Sequence, residues 1–243
     1  MYLTFFWALL PVVSFVLYSI VPIPDMDISH SNGPEDGRKK TAGLALCALC
    51  IFLGSAAENS MTNWISGYME NALNIPKAVG DILGMALFAI LLGMGRSTYA
   101  KYGKNISNVL LLGMVGAAVC YITAGLSPNV IVCAVACVLT GLCTSMLWPG
   151  TLIMMEEYIP HPGVTAYALM AAGGDFGGSI APQLLGIVVD NVSASDWAQR
   201  LSTQLAMSAE QIGMKAGMLT AAVYPILGVA LLIYIKRYFA KRS

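Results

Sequence analysis

Charge is what this chain has least of. Its 243 residues include 13 Lys and Arg and 13 Asp and Glu, 11% together, for a net charge of +0. A soluble domain carries about 25% charged residues, so the composition excludes a globule that meets water on every side. The balance of signs excludes the basic field that would recruit nucleic acid. Histidine occurs only as His30 and His161, and there is no Gly-x-Ser-x-Gly elbow, His-rich metal spacing or pair of carboxylates at a membrane face. Nothing therefore points to an enzyme, a cofactor or a bound metal. The six cysteines (47, 50, 120, 133, 137 and 143) all lie in apolar stretches. Cys47 and Cys50 have C-x-x-C spacing, but a zinc site needs about four ligands and no second pair supplies them. Small packing residues in helices is the simpler reading.

What the chain has in quantity is apolar length. It is 57% hydrophobic with a mean hydropathy of +0.71. Seven stretches are long enough to cross roughly 30 Å of hydrocarbon: residues 3–23, 43–68, 79–94, 106–126, 130–148, 166–189 and 216–235. The expected fold is all-α, a polytopic bundle of about seven transmembrane helices embedded in a lipid bilayer. Residues 1–24 form one span, 25–41 a polar linker ending in basic residues, and 42–243 a six-helix domain. Pro76 suits a first helical turn, and Ser208 with Gln211 has capping-box spacing. Residues 195–214 are moderately amphipathic, with Trp197, Leu201 and Leu205 four apart, as in a helix lying at the interface.

Threading seven spans places Arg38, Lys39, Lys40, Arg96, Lys101, Lys104, Lys236, Arg237, Lys241 and Arg242 on one side. Lys77, Arg200 and Lys215 fall on the other. The positive-inside rule then puts the linker and the C-terminus in the cytoplasm of a cell-membrane protein. A chain that opens inside a span, with an exported and uncharged N-terminus, is expected to start mid-protein.

One helix, a charged linker and six helices is the arrangement from the sixth helix to the twelfth of the major facilitator superfamily, which this chain resembles along its whole length. Local motifs resemble bacterial members: Glu58-Asn59-Ser60-Met61-Thr62-Asn63-Trp64, residues 76–81, Gly93-Met94-Gly95-Arg96-Ser97-Thr98-Tyr99, Leu147-Trp148-Pro149-Gly150-Thr151, and residues 173–182. Glu58 and Asn59 also resemble the fucose-permease type of sugar carrier. The superfamily loop that often carries Asp-Arg has no acid in residues 95–104 here, so no charge relay is expected there. The resemblance implies the C-terminal half of a secondary transporter that moves a small solute through a central cavity. A missing N-terminal six-helix half or a second chain would complete that cavity.

Intramembrane polar residues mark the expected cavity, because charge inside a span is costly and usually functional. At 100° per residue, Ser55, Glu58, Asn59, Thr62, Asn63 and Ser66 fall within an arc of roughly 140°, opposite Trp64. In the fifth segment Cys137, Thr140, Gly141, Thr144, Trp148 and Thr151 share a face. The candidate cavity residues are Glu58, Asn59, Thr62, Asn63, Thr140, Thr144, Trp148, Asp175 and Gln183. Glu58 is the first candidate for proton coupling and Asp175 the second. Asp81, near a helix end, is read as solvating that end. Gly80 with Gly84, Gly173 with Gly177 and Gly174 with Gly178 have the spacing of close helix packing. By the resemblance, these faces await the other half. The alternatives are an inactive truncated fragment and a non-transporting scaffold or sensor, the latter requiring the polar stripes to be buried between helices.

Overall fold

The computed structural model describes residues 2–21, 37–159 and 162–240. Those residues are helical almost throughout, with no strand among them. Helix α1 is Tyr2–Ile20 and contains Pro11. Helix α2, Gly37–Gly67, widens at its end into a π-helical turn, Tyr68–Ala72. Helix α3 runs over Lys77–Tyr102 and is π-helical at Gly80–Ala86. Then come α4 (Ile106–Leu126), α5 (Val130–Tyr158), α6 (Gly163–Ser193), the short α7 (Asp196–Leu205) and α8 (Ala209–Ala240).

Five of these helices, α2, α3, α4, α5 and α8, are long and apolar enough to cross a membrane. They make the chain a multi-pass membrane protein. The seven expected spans are not all among them. Helix α6 is long enough, but its glycines, Asp175 and Gln183 lower its hydropathy. Residues 22–36, which include His30 and most of the expected linker, lie outside the described residues, as does His161. Arg38, Lys39 and Lys40 belong to the first turn of α2 rather than to a linker.

The helix ends follow from capping chemistry. Pro76 precedes α3 as its cap, so the helix opens one residue later than a first-turn proline would place it. Asn105 takes a left-handed backbone (φ 52°) and its side chain accepts from the Asn108 N–H at 3.3 Å, which starts α4. Ser208 and Gln211 form the expected capping box at α8.

Helix α1 belongs to one unit and α2 to α8 to another. In the second unit α2 is the central helix, packed against α3, α5, α6 and α8, while α4 packs on α5 and α8. Two buried tyrosines fix the register between α2 and α4. Tyr121 of α4 donates to the Ala57 carbonyl at 2.7 Å, and Tyr68 of α2 donates to the Ala124 carbonyl. Cys47 and Cys50 are fully buried in α2, with Cys50 Sγ 3.9 Å from Thr151 Oγ1 of α5.

The outer surface is apolar, as lipid requires. Leu112 and Ile131 are each 72% exposed and Phe176 66%. On α7 Trp197 and Leu205 are exposed while Ala198 is buried. A short amphipathic helix stands where the sequence predicts one, with Leu201 of its apolar face half-buried.

The glycine faces are used inside the chain. A Cβ at Gly173 would stand 3.2 Å from the Ala48 carbonyl oxygen, and one at Gly177 would collide with the Phe52 carbonyl, so these glycines bring α6 onto α2. At Gly80 and Gly84 a Cβ would meet Met69. The expectation that these faces await another chain is therefore corrected: α2 already fills them, except at Gly174, where Trp148 of α5 does. Ser66 of α2 donates to the Asp81 carboxylate of α3, so Asp81 is a tie between helices and not a group that merely solvates an end.

Candidate functional site: a polar cleft at Glu58 and Arg96

Where α2, α3, α5 and α6 meet, a cleft of about 430 Å³ is lined by Ser55, Glu58, Asn59, Arg96, Trp148, Gly174, Asp175, Gly178 and Ser179. Against a largely apolar outer surface this cleft concentrates polar groups, with Glu58 and Arg96 inside spanning helices.

The centre is an ion pair. Arg96 Nη2 of α3 donates to Glu58 Oε1 of α2 at 3.2 Å, and Arg96 Nε donates to the Ser145 carbonyl at 2.9 Å. The Glu58 side chain is 17% exposed and that of Arg96 44%. Glu58 Oε2 is buried and has no hydrogen-bond partner. The pair thus leaves one carboxylate oxygen unsatisfied, which is costly unless something else meets it.

The Arg96 contact depends on a break in α5. After Thr144 the helix is interrupted at Ser145 and Met146, where Ser145 N–H reaches back only to the Leu142 carbonyl, and it resumes at Leu147. The Ser145 carbonyl at this break accepts Arg96. Trp148, just beyond the break, lines the cleft, whereas Thr140 and Thr144 before it do not. Those two threonines are fully buried and donate to the Ala136 and Thr140 carbonyls at 2.9 Å each. Their place in the cavity is therefore corrected: they are core residues, as is Thr151 beyond the interruption, and of the face predicted for the fifth segment it is Trp148 that lines the cleft.

On α2 the stripe is half-used. Asn59 lines the cleft, its Nδ2 donating to the Ser55 carbonyl at 3.0 Å and to Ser55 Oγ at 3.2 Å. Thr62 and Asn63 are one turn further on. They bond back to the Glu58 and Asn59 carbonyls and do not line the cleft. Trp64, on the opposite side of α2 as expected, donates to the Pro182 carbonyl at 3.2 Å.

On α6 Asp175 and Ser179 are exposed along the cleft, and Gly174 and Gly178 make room for Trp148 and Asn59. A Cβ at Gly178 would lie 2.8 Å from Asn59 Nδ2. Pro182 has no N–H to offer the Gly178 carbonyl one turn back, which leaves that carbonyl without its helical donor beside the cleft. Gln183 is exposed on α6 but does not line this cleft.

Comparison with protein-family models, with curated proteins and with solved structures returns no match.

Proposed function

We propose that this chain is a secondary transporter, or the C-terminal half of one, that carries a small hydrophilic solute, a sugar being the leading candidate. In this reading it belongs to the major facilitator type. Seven spans cross the cell membrane, the α3–α4 connection and the C-terminus lie in the cytoplasm, and the cleft at Glu58 and Arg96 is the solute site, opened alternately to each side. The observation that carries the proposal is the Glu58–Arg96 ion pair set into a polar cleft between spanning helices. A scaffold gains little from such a pair, because desolvating two charges offsets most of their attraction. A transporter needs polar groups that a solute can engage and leave.

The ring of Trp148 beside Asn59, Asp175 and Ser179 offers one apolar face and several hydrogen-bonding groups, the combination that recognises a sugar. Glu58 is the coupling residue in this account. With its second oxygen unsatisfied, it can take up a proton and release Arg96, and the solute and the proton then move together.

The test is uptake of radiolabelled hexoses and pentoses by proteoliposomes holding the full chain under an imposed proton gradient. Saturable accumulation is expected, with Glu58→Gln abolishing accumulation while exchange between loaded and external solute persists. Normal accumulation by Glu58→Gln would show that the coupling assignment is wrong.

A further inference from the structure

A second and larger hollow lies away from the polar cleft. It has about 740 Å³ and runs between α3, α4 and α5, walled chiefly by Leu91, Met94, Tyr99, Val109, Leu112 and Met146. It opens on the outer face of the bundle, where Met94 and Leu112 are exposed. At one end stand Tyr102 and Lys104, where α3 gives way to α4. Lys101 Nζ lies 5.1 Å from the centre of the Tyr102 ring, so two ammonium groups flank that end. No carboxylate lines the hollow.

We infer that this groove holds one acyl chain of an anionic phospholipid, with the headgroup phosphate against Lys101 and Lys104. Three properties point to that occupant. The length fits: from Leu91 to Tyr102 is roughly 16 Å along a helix, about half the ~30 Å hydrocarbon core, or one leaflet. The polarity gradient fits as well, with aliphatic walls at depth, tyrosines at the level where aromatic rings gather at membrane surfaces, and lysines beyond them. The charge also fits, because basic pockets beside spanning helices bind anionic headgroups. A neutral lipid would fill the walls equally well but would leave both lysines unused.

The site is independent of the solute proposal, although one wall touches it. Ser145 lines the groove, and its carbonyl holds Arg96 from the other side. A lipid seated here would brace the break in α5 that positions Arg96.

Native mass spectrometry of the purified full chain, given equimolar phosphatidylglycerol and phosphatidylcholine, tests this. Phosphatidylglycerol should be retained over phosphatidylcholine by roughly tenfold. The double variant Lys101→Gln/Lys104→Gln changes only surface charge and should bring that ratio close to one. Thr98→Trp, which fills the groove, should lose both lipids at an unchanged unfolding temperature. If it does not fold, Met94→Trp reads the same space. Equal retention of the two lipids by the wild type would overturn the inference. So would undiminished phosphatidylglycerol binding in the groove-filling variant, or a dimer of the chain that excludes lipid.

Discussion

Arg96 reaches Glu58 across the gap between α3 and α2 at 3.2 Å, and its other donor is fixed by the Ser145 carbonyl at 2.9 Å. One side chain thus joins three helices at the polar cleft. Losing Arg96 leaves a largely buried carboxylate alone, whereas losing the Glu58 charge leaves a half-exposed guanidinium that water can reach. Arg96→Gln is therefore expected to lower stability more than Glu58→Gln, by roughly 1–3 kcal/mol after discounting the exposure of Arg96. The double variant should recover part of the loss. A double-mutant cycle of thermal unfolding in detergent measures this, and equal, additive losses would mean the pair is not coupled.

The closeness of α6 to α2 depends on Gly177, where a Cβ would strike the Phe52 carbonyl. Backbone cannot yield as a flexible side chain can, so Gly177→Ala should cost about 1–3 kcal/mol. Gly93→Ala is the control, since nothing lies within 4 Å of its added Cβ. It should be neutral or slightly stabilising through helix propensity. Unfolding temperatures of the two variants should separate clearly, and similar values would show that the α6–α2 approach is looser than described.

Tyr121 donates to the Ala57 carbonyl next to Glu58 in the chain. Tyr121→Phe removes that bond without removing the ring, and the carbonyl keeps its own helical donor. The expected cost is about 1 kcal/mol, the ordinary net value of one hydrogen bond. Tyr121→Ala should cost several times more through the cavity it leaves in the core. Chemical or thermal denaturation of both variants checks the ratio.

These outcomes turn on features that the sequence reveals unequally. The α2 stripe is legible because helical period alone groups Ser55, Glu58 and Asn59, and nothing interrupts the helix between them. Arg96 is not legible in the same way. It follows an apolar run with basic residues after it, the signature of a loop, yet α3 continues to Tyr102 and brings it back to Glu58. Trp148 and Thr144 show the opposite failure. Their spacing implies one face, but the helix is interrupted at Ser145 and Met146 between them; Pro149, four residues on, has no N–H for the Ser145 carbonyl and marks that break in the sequence, though not which side chains it leaves buried. The glycine pairs are legible as packing faces, whereas their partner is a matter of tertiary structure. Met69, Ala48, Phe52 and Asn59 of α2 and Trp148 of α5 occupy them.

The same separation predicts chemical labelling. Thr144→Cys should resist a water-soluble maleimide in the folded protein, because that position is fully buried. Ser179→Cys, exposed along the cleft, should react readily. Labelling followed by mass spectrometry reads both, with the buried native cysteines as internal controls. Equal reactivity at the two positions would return Thr144 to the cavity.

Transport by alternating access requires the cleft at Glu58 and Arg96 to be wetted and to open to both sides of the membrane. That requirement is tested most directly by reacting Asn59→Cys with a membrane-impermeant maleimide, added separately to right-side-out and inverted vesicles. Labelling from either side is the outcome expected of alternating access. Protection from both sides would mean that the stripe is buried between helices, as in a scaffold. Labelling from one side alone would make the cleft a one-sided pocket and contradict transport through it.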